Sequence, residues 1–200
     1  MSAPMSNTAS HYKVLPNPIL HHGSLEASSV QPSHVEPIRK WRNAQIDALR
    51  QSHPIMKGQQ ESYFANHVWP EKASGTPSKI LLALEQDGKL IGYGGLVHIN
   101  WDYRRAEISF LLDPECSAND LESAPIFTKF LHMMEKLAFT DLRLTRLMTE
   151  TYTQRTPFID ALDAYGFHRE GQLRSHVLLK NEPMDAILHG LLSTDRAGTT

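Results

Sequence analysis

The sequence predicts an α/β fold of the α+β kind, with a mixed, mostly antiparallel central sheet flanked by helices. Three observations carry this. Residues 79–112 hold three runs of apolar and alternating residues separated by turn residues, the pattern of an antiparallel meander. An apolar stripe at helical spacing then runs from Leu121 to Phe139 and leads into another short strand-like run, so a helix joins two strands that must lie parallel. Near the C-terminus two further runs flank Lys180-Asn181-Glu182-Pro183 and read as a closing hairpin.

Taken in order, residues 1–22 mix Ser, Asn, Pro and His without a period and are expected to form a flexible leader. A first strand is expected over Ser24 to Val30. Pro32-Ser33 then opens a helix whose Val35, Ile38 and Trp41 recur at helical spacing. Further helical stretches are expected over Ala44 to Gln51 and Gln59 to Val68, the latter stopped by Pro70. Strands over Lys79 to Leu84 and Leu90 to Ile99 are joined through Asp87-Gly88, a pair suited to the positive φ of a tight hairpin turn. After Asn100 to Tyr103, the strand Arg105 to Leu112 puts Ala106, Ile108, Phe110 and Leu112 on one face and Glu107, Ser109 and Leu111 on the other. The long helix carries Ile126, Phe130, Met133, Met134 and Leu137 as a core stripe. A strand over Leu147 to Tyr152 follows. A short helix then opens at Thr156-Pro157 and closes at Tyr165-Gly166-Phe167, before the hairpin Gln172 to Leu179 and Asp185 to Leu192. The reading is one domain over 23–192 and a flexible tail over 193–200.

Composition narrows the function. The chain has 200 residues, 40% of them hydrophobic, and a net charge of -2, with no basic run to recommend nucleic acid or an anionic membrane as partner. No apolar stretch approaches the roughly 20 residues that span a bilayer. The N-terminus lacks a charged n-region before an apolar one, which suggests a cytoplasmic protein. A single cysteine, Cys116, excludes a disulfide within the chain, and nothing near it in sequence would activate a thiol. The 11 histidines are scattered without ligand spacing, so no metal is expected.

Three signatures in this order resemble the GNAT N-acetyltransferases over roughly residues 23–192. Ile91-Gly92-Tyr93-Gly94-Gly95-Leu96 is similar to the family's glycine-bearing strand beside the ligand. Ala106-Glu107-Ile108-Ser109-Phe110 with Leu112-Asp113-Pro114 looks like its coenzyme-A-binding strand, and Ala161-Leu162-Asp163-Ala164-Tyr165-Gly166-Phe167 like its short helix ending in Gly-Phe. Trp41-Arg42-Asn43, together with the stretch 92–101 that ends in Trp101, looks like acetyltransferases acting on nucleotide-linked amino sugars. The broader set with Trp-Arg-Asn also includes enzymes that acetylate protein N-termini. One departure stands out. The loop 115–125 lacks the glycines with which the family closes on the pyrophosphate, and it carries Glu115, Asp120 and Glu122. A non-catalytic binding module on the same fold is therefore a rival reading.

The resemblance implies acetyl-CoA as co-substrate, a small-molecule amine as acceptor, and a monomer or homodimer. Glu107 is the first candidate base and His98, with an ordinary pKa near 6.5, the second. Position 162, where the family often has a tyrosine acid, is leucine, so Tyr152 or Tyr165 would have to substitute. For the coenzyme the resemblance points to the backbone of Leu111 and Leu112, to Ser123 and Ala124 before the long helix, and to Arg155. For the acceptor it points to Trp41, Arg42, Asn43 and Trp101, with Arg42 suited to a phosphate through its forked guanidinium.

Overall fold

A computed structural model of the chain describes residues 9–116 and 120–196, with side chains not described at 120–122. Eight strands form one sheet: β1 (Ile19–His22), β2 (Leu25–Ser29), β3 (Ile80–Gln86), β4 (Lys89–Asn100), β5 (Arg105–Leu112), β6 (Arg146–Tyr152), β7 (His168–Leu179) and β8 (Glu182–Leu192). Their spatial order is β1-β2-β3-β4-β5-β6-β8-β7. Every neighbouring pair is antiparallel except β5 and β6. Helices α1 (Val35–Ala44), α2 (Lys57–His67) and α3 (Trp69–Ala73) precede β3, α4 (Asp120–Glu135) joins β5 to β6, and α5 (Thr156–Tyr165) joins β6 to β7.

The alternation along β5 decides which core each side chain joins. Ala106, Ile108 and Leu112 pack with Phe127, Phe130, Leu131 and Leu162 in the core under α4 and α5. Leu111 faces the other way, into a second core with Ile38, Trp41, Phe64 and Val68 of the α1/α2 layer. The sheet is therefore covered on both faces.

The glycine-bearing strand owes its glycines to neighbours within the chain. A Cβ at Gly94 would lie 2.5 Å from the carbonyl oxygen of Ser109 and 2.8 Å from the ring of Phe130. Gly95 combines φ 144° with a Cβ position only 1.9 Å from the carbonyl oxygen of Ile80. At the β3–β4 turn Asp87 and Gly88 adopt φ 52° and 75°, as the hairpin requires.

Five features differ from the sequence reading. The segment expected to be a loose leader is packed from Tyr12 onward. Tyr12 is fully buried, its N–H donates to Ser29 Oγ at 3.2 Å, and its hydroxyl accepts from the Leu81 N–H at 3.0 Å. Leu15 and Leu20 are buried beside it, and β1 adds an edge strand. The helix expected over 44–51 is instead a short 3-10 turn, Ile46–Ala48, followed by loop. Asn43 Oδ1 accepts from the Ile55 N–H at 2.8 Å and its Nδ2 donates to the Ile55 carbonyl at 2.9 Å, which ties the loop back on α1. Pro70 does not end the helical region; it sits in the first turn of α3, where its missing N–H has no cost. The C-terminal hairpin turns on two residues, Lys180 and Asn181, at φ 53° and 68°. Of the expected tail, Ser193–Arg196 forms a 3-10 turn in which Arg196 donates to the Tyr165 carbonyl at 2.7 Å. Residues 1–8, 117–119 and 197–200 lie outside the described residues.

Candidate active site

Parallel pairing of β5 with β6 covers only Arg105–Arg146, Ala106–Leu147 and Glu107–Met148. Beyond Glu107 the strands separate and open a cleft of about 550 Å³. One side is aromatic: Phe110, Phe127 and Phe158 lie with ring centroids 5.0 to 6.1 Å apart. The other side is polar, lined by Glu107, Glu150, Arg50, Tyr63, Lys79 and His98.

Glu107 and Glu150 stand on adjacent parallel strands and, by alternation from the Glu107–Met148 rung, on the same face. Each side chain is only 13% exposed. The guanidinium of Arg50 reaches over from the loop after α1 to pair closely with Glu107 and, at 3.6 Å, with Glu150. His176 Nε2 on β7 lies 3.3 Å from Glu150 Oε1, close enough for charge attraction but not aligned as a hydrogen bond. Tyr152, on the same face of β6, is buried, and its hydroxyl has no hydrogen-bond partner among the described residues. Burial, followed by the charge of Glu150, raises its pKa against the opposing pull of Arg50. Thr149 Oγ1, on the opposite face, is likewise buried without a partner.

The cleft brings together four of the residues expected from the sequence: Glu107, His98, Arg42 and Arg155. His98 is exposed at φ 50° in the bulge where the β4–β5 register shifts, a device that turns a side chain out of its ladder. Arg155 precedes α5 and lies 3.9 Å over the ring of Phe158. Arg42 lines the cleft but is fastened within the chain, its Nε to Gln51 Oε1 at 3.0 Å and its Nη1 to Tyr93 OH at 2.9 Å.

The remaining expected residues do not line it. Trp41 is 8% exposed in the α1/α2 core, Asn43 clamps Ile55, and Trp101 Nε1 donates to the Pro77 carbonyl at 2.9 Å. The backbones of Leu111 and Leu112, expected to meet the coenzyme, face opposite ways. The Asp113 N–H bonds the Ile91 carbonyl at 2.8 Å, so alternation turns the backbone of Leu111 toward β4. Phe110 and Leu112 face the open edge, where Gln45 Nε2 donates to the Leu112 carbonyl at 2.8 Å. Ser123 is buried and Ala124 half-buried near the start of α4, next to 117–119.

Arg50 and Glu150 escaped the sequence reading. A signal for Glu150 was available: it precedes Tyr152 by two residues on a strand read as parallel to that of Glu107, which puts two carboxylates side by side. Arg50 had no such signal, because its reach depends on the loop. Among the described residues no three His, Cys, Asp or Glu side chains converge as a metal site would need. No helix among them is long and apolar enough to cross a membrane.

A mixed sheet that splays between two parallel strands, with polar side-chain atoms unpaired along the split among the described residues, defines an α/β protein with an open cleft in its sheet. Residues 28–188 match the acetyltransferase (GNAT) domain, and the chain belongs to that family. It is an acetyl-CoA-dependent acetyltransferase. The uncharacterized N-acetyltransferase p20 of Bacillus licheniformis is 25% identical over 124 residues, 62% of this chain and 67% of p20. Among solved structures, the spermidine N-acetyltransferase of Vibrio cholerae in complex with CoA and spermine superposes with a TM-score of 0.75. It shows 16% identity over 88% of this chain and 100% of its own. A dodecameric structure of spermidine N-acetyltransferase from Vibrio cholerae gives 0.73 and 17% over 89% and 98%. The narrower likeness to amino-sugar enzymes is carried by the sequence motifs alone.

Proposed function

We infer that the chain transfers acetyl from acetyl-CoA to the primary amine of a small molecule, with Glu107 as the base that takes the amine's proton. One observation carries this: the Glu107 carboxylate, nearly buried, stands on the last rung before β5 and β6 part, at the base of the cleft. The cleft suits the coenzyme. Its open edge presents the N–H and C=O of Phe110, and the unpartnered Thr149 Oγ1 is a buried polar group that a ligand's amides would satisfy. Arg155, which lines the cleft, would meet a phosphate, and Ser123 and Ala124 stand near the start of α4.

The reaction needs an amine nitrogen with a free lone pair. Glu107 removes the proton of the ammonium. The nitrogen then bonds the thioester carbonyl carbon, the carbon–sulfur bond breaks, and the second proton that the nitrogen sheds as the amide forms replaces the one given to the leaving thiolate. Tyr152, whose raised pKa keeps its proton in place at neutral pH, is the candidate donor to the leaving thiolate. His98, exposed at the cleft mouth, is the candidate to pass the amine's proton on to solvent. A nucleotide-linked amino sugar, the acceptor expected from the motifs, relied on Arg42 to grip phosphate. The commitment of Arg42 to Gln51 and Tyr93 argues for an acceptor without one.

Calorimetric titration with acetyl-CoA, followed by an amine-dependent assay of thiol release, tests the reading. Micromolar coenzyme binding with thiol released only when amine is present is expected. Absence of binding at millimolar coenzyme would leave the non-catalytic module as the better account.

A further inference from the structure

The carboxylate pair at the split poses a physical problem. Two side chains with 13% exposure each, on adjacent strands and one face, give up hydration and repel each other unless a cation lies between them. In this structure the cation is Arg50. Resting on the transferase reading above, we propose that Arg50 is a displaceable internal occupant of the acceptor subsite. Its guanidinium holds the place of a substrate ammonium on Glu107 and Glu150, and a cationic aliphatic amine enters by exchanging with it.

Three features make Arg50 suited to leave. Its side chain is 48% exposed while its partners are nearly buried, and the Glu150 contact, at 3.6 Å, is a loose one. An ion pair with one solvated member is weak and readily exchanged. The loop beneath it, by contrast, is fixed on both flanks. Arg42 and Asn43 of α1 hold Gln51 and Ile55, and Asp47 accepts from Lys180 Nζ at 2.7 Å while its carbonyl accepts from Gln154 Nε2 at 3.0 Å. The side chain can therefore swing out without the loop moving. The Trp-Arg-Asn motif thus supports the Arg50 loop and makes no acceptor contact of its own in this account.

The same geometry discriminates between acceptors. An anionic group placed at Arg50 would also meet Glu107 and Glu150, whereas an ammonium finds two acceptors whose hydration has already been removed. Arg50 then sets the threshold: only a cation that binds the pair better than the guanidinium does will enter.

The test is calorimetric titration of 1,4-diaminobutane into the coenzyme-free full chain, as wild type, Arg50→Gln and Glu150→Gln, each checked for folding by circular dichroism. Arg50→Gln should tighten diamine binding by up to about fivefold, the ratio that a weak competing ion pair represents. Glu150→Gln should loosen it. Unchanged or weaker binding in Arg50→Gln overturns the proposal, and so does absence of diamine binding in both wild type and Arg50→Gln. Binding of a nucleotide-linked amino sugar that is lost in Arg50→Gln would overturn it too, by making Arg50 an anion contact. Because the coenzyme is absent, a failure here is distinct from a failure of acetyl-CoA binding, which would strike the transferase reading instead.

Discussion

Replacing Glu107 with Gln removes a charge and a proton acceptor while keeping shape. An α-amino group has a pKa of about 8 and a lysine-like amine about 10.4, so at pH 7 the reactive neutral form is scarce by about 1.4 to 4.6 kcal/mol. A bound base can recover no more than that deficit, and general bases typically supply about 10²- to 10⁴-fold. For an aliphatic amine the expected loss of kcat at pH 7 is therefore about 10²- to 10³-fold, or about 2.7 to 4 kcal/mol. The fold should survive. Arg50 keeps Glu150 at 3.6 Å, and a half-exposed pair contributes about 0.2 to 1 kcal/mol. Since Glu107 also binds Arg50, kcat at saturating amine is the parameter to read. The assay is thiol release from acetyl-CoA across the pH range, with the acetyl-CoA dissociation constant as control. The deficit should shrink by about tenfold per pH unit as solvent takes over deprotonation. A variant that keeps wild-type kcat at pH 7, or whose deficit is the same at every pH, refutes the assignment of Glu107 as base.

Two stability predictions follow from the same structure. Gly95→Ala puts a Cβ 1.9 Å from the Ile80 carbonyl at φ 144°; backbone strain and overpacking together should cost about 2 to 6 kcal/mol, against a total of about 5 to 15. Urea unfolding should show the loss, with Gly75→Ala, which meets nothing within 4 Å, as the neutral control; equal midpoints would sink the packing account. The pKa values of His34, His132 and His189 lie below 6.5, chiefly through burial, so below pH 6.5 the unfolded chain takes up protons before the folded one does. Stability should thus be greatest above pH 6.5 and fall as pH drops through the window between 6.5 and the folded values. His189→Gln should reduce that fall, since His189 is fully buried. A flat or rising urea midpoint on acidification would contradict the sign.

What was legible in the sequence was local. Alternation in 105–112 placed Ala106, Ile108 and Leu112 in one core and Leu111 in the other because strand periodicity needs no knowledge of the partner. Asp87-Gly88 wrote its turn because positive φ has few residues that supply it. The N-terminal segment was illegible for the opposite reason: Tyr12 is ordered by Leu81, 69 residues away in sequence, and neither stretch announces the other. In the site, strand alternation set Glu107 opposite in face to Ala106 and Ile108, and the family resemblance made it a candidate base. The glycines of 92–95 suggested a ligand when their crowding comes from Ser109, Phe130 and Ile80 within the chain. Trp41, Arg42 and Asn43 were drawn toward the acceptor because a motif names residue types; their partners in the core, at Gln51 and at Ile55 emerge only once the loop is built.

The cleft and the chemistry have one origin in the sheet. β6 is fully laddered to β8 from Arg146–Leu192 to Tyr152–Ala186, and β5 to β4 from Glu107–Val97 to Leu112–Gly92, so each strand is held on its far side. Only the seam between them is free to part, and it does so after three rungs. Among the described residues, parting leaves the side-chain oxygens of Thr149 and Tyr152 without partners, which an isolated domain does not tolerate cheaply. Because alternate residues point to opposite faces, the same split separates two environments. The aromatic face of Phe110, Phe127 and Phe158 suits an apolar acyl chain, and the carboxylate face of Glu107 and Glu150 suits a cation. On the function proposed above, an acyl donor and an amine drawn to opposite faces would meet at the seam, where Glu107 stands on the last closed rung.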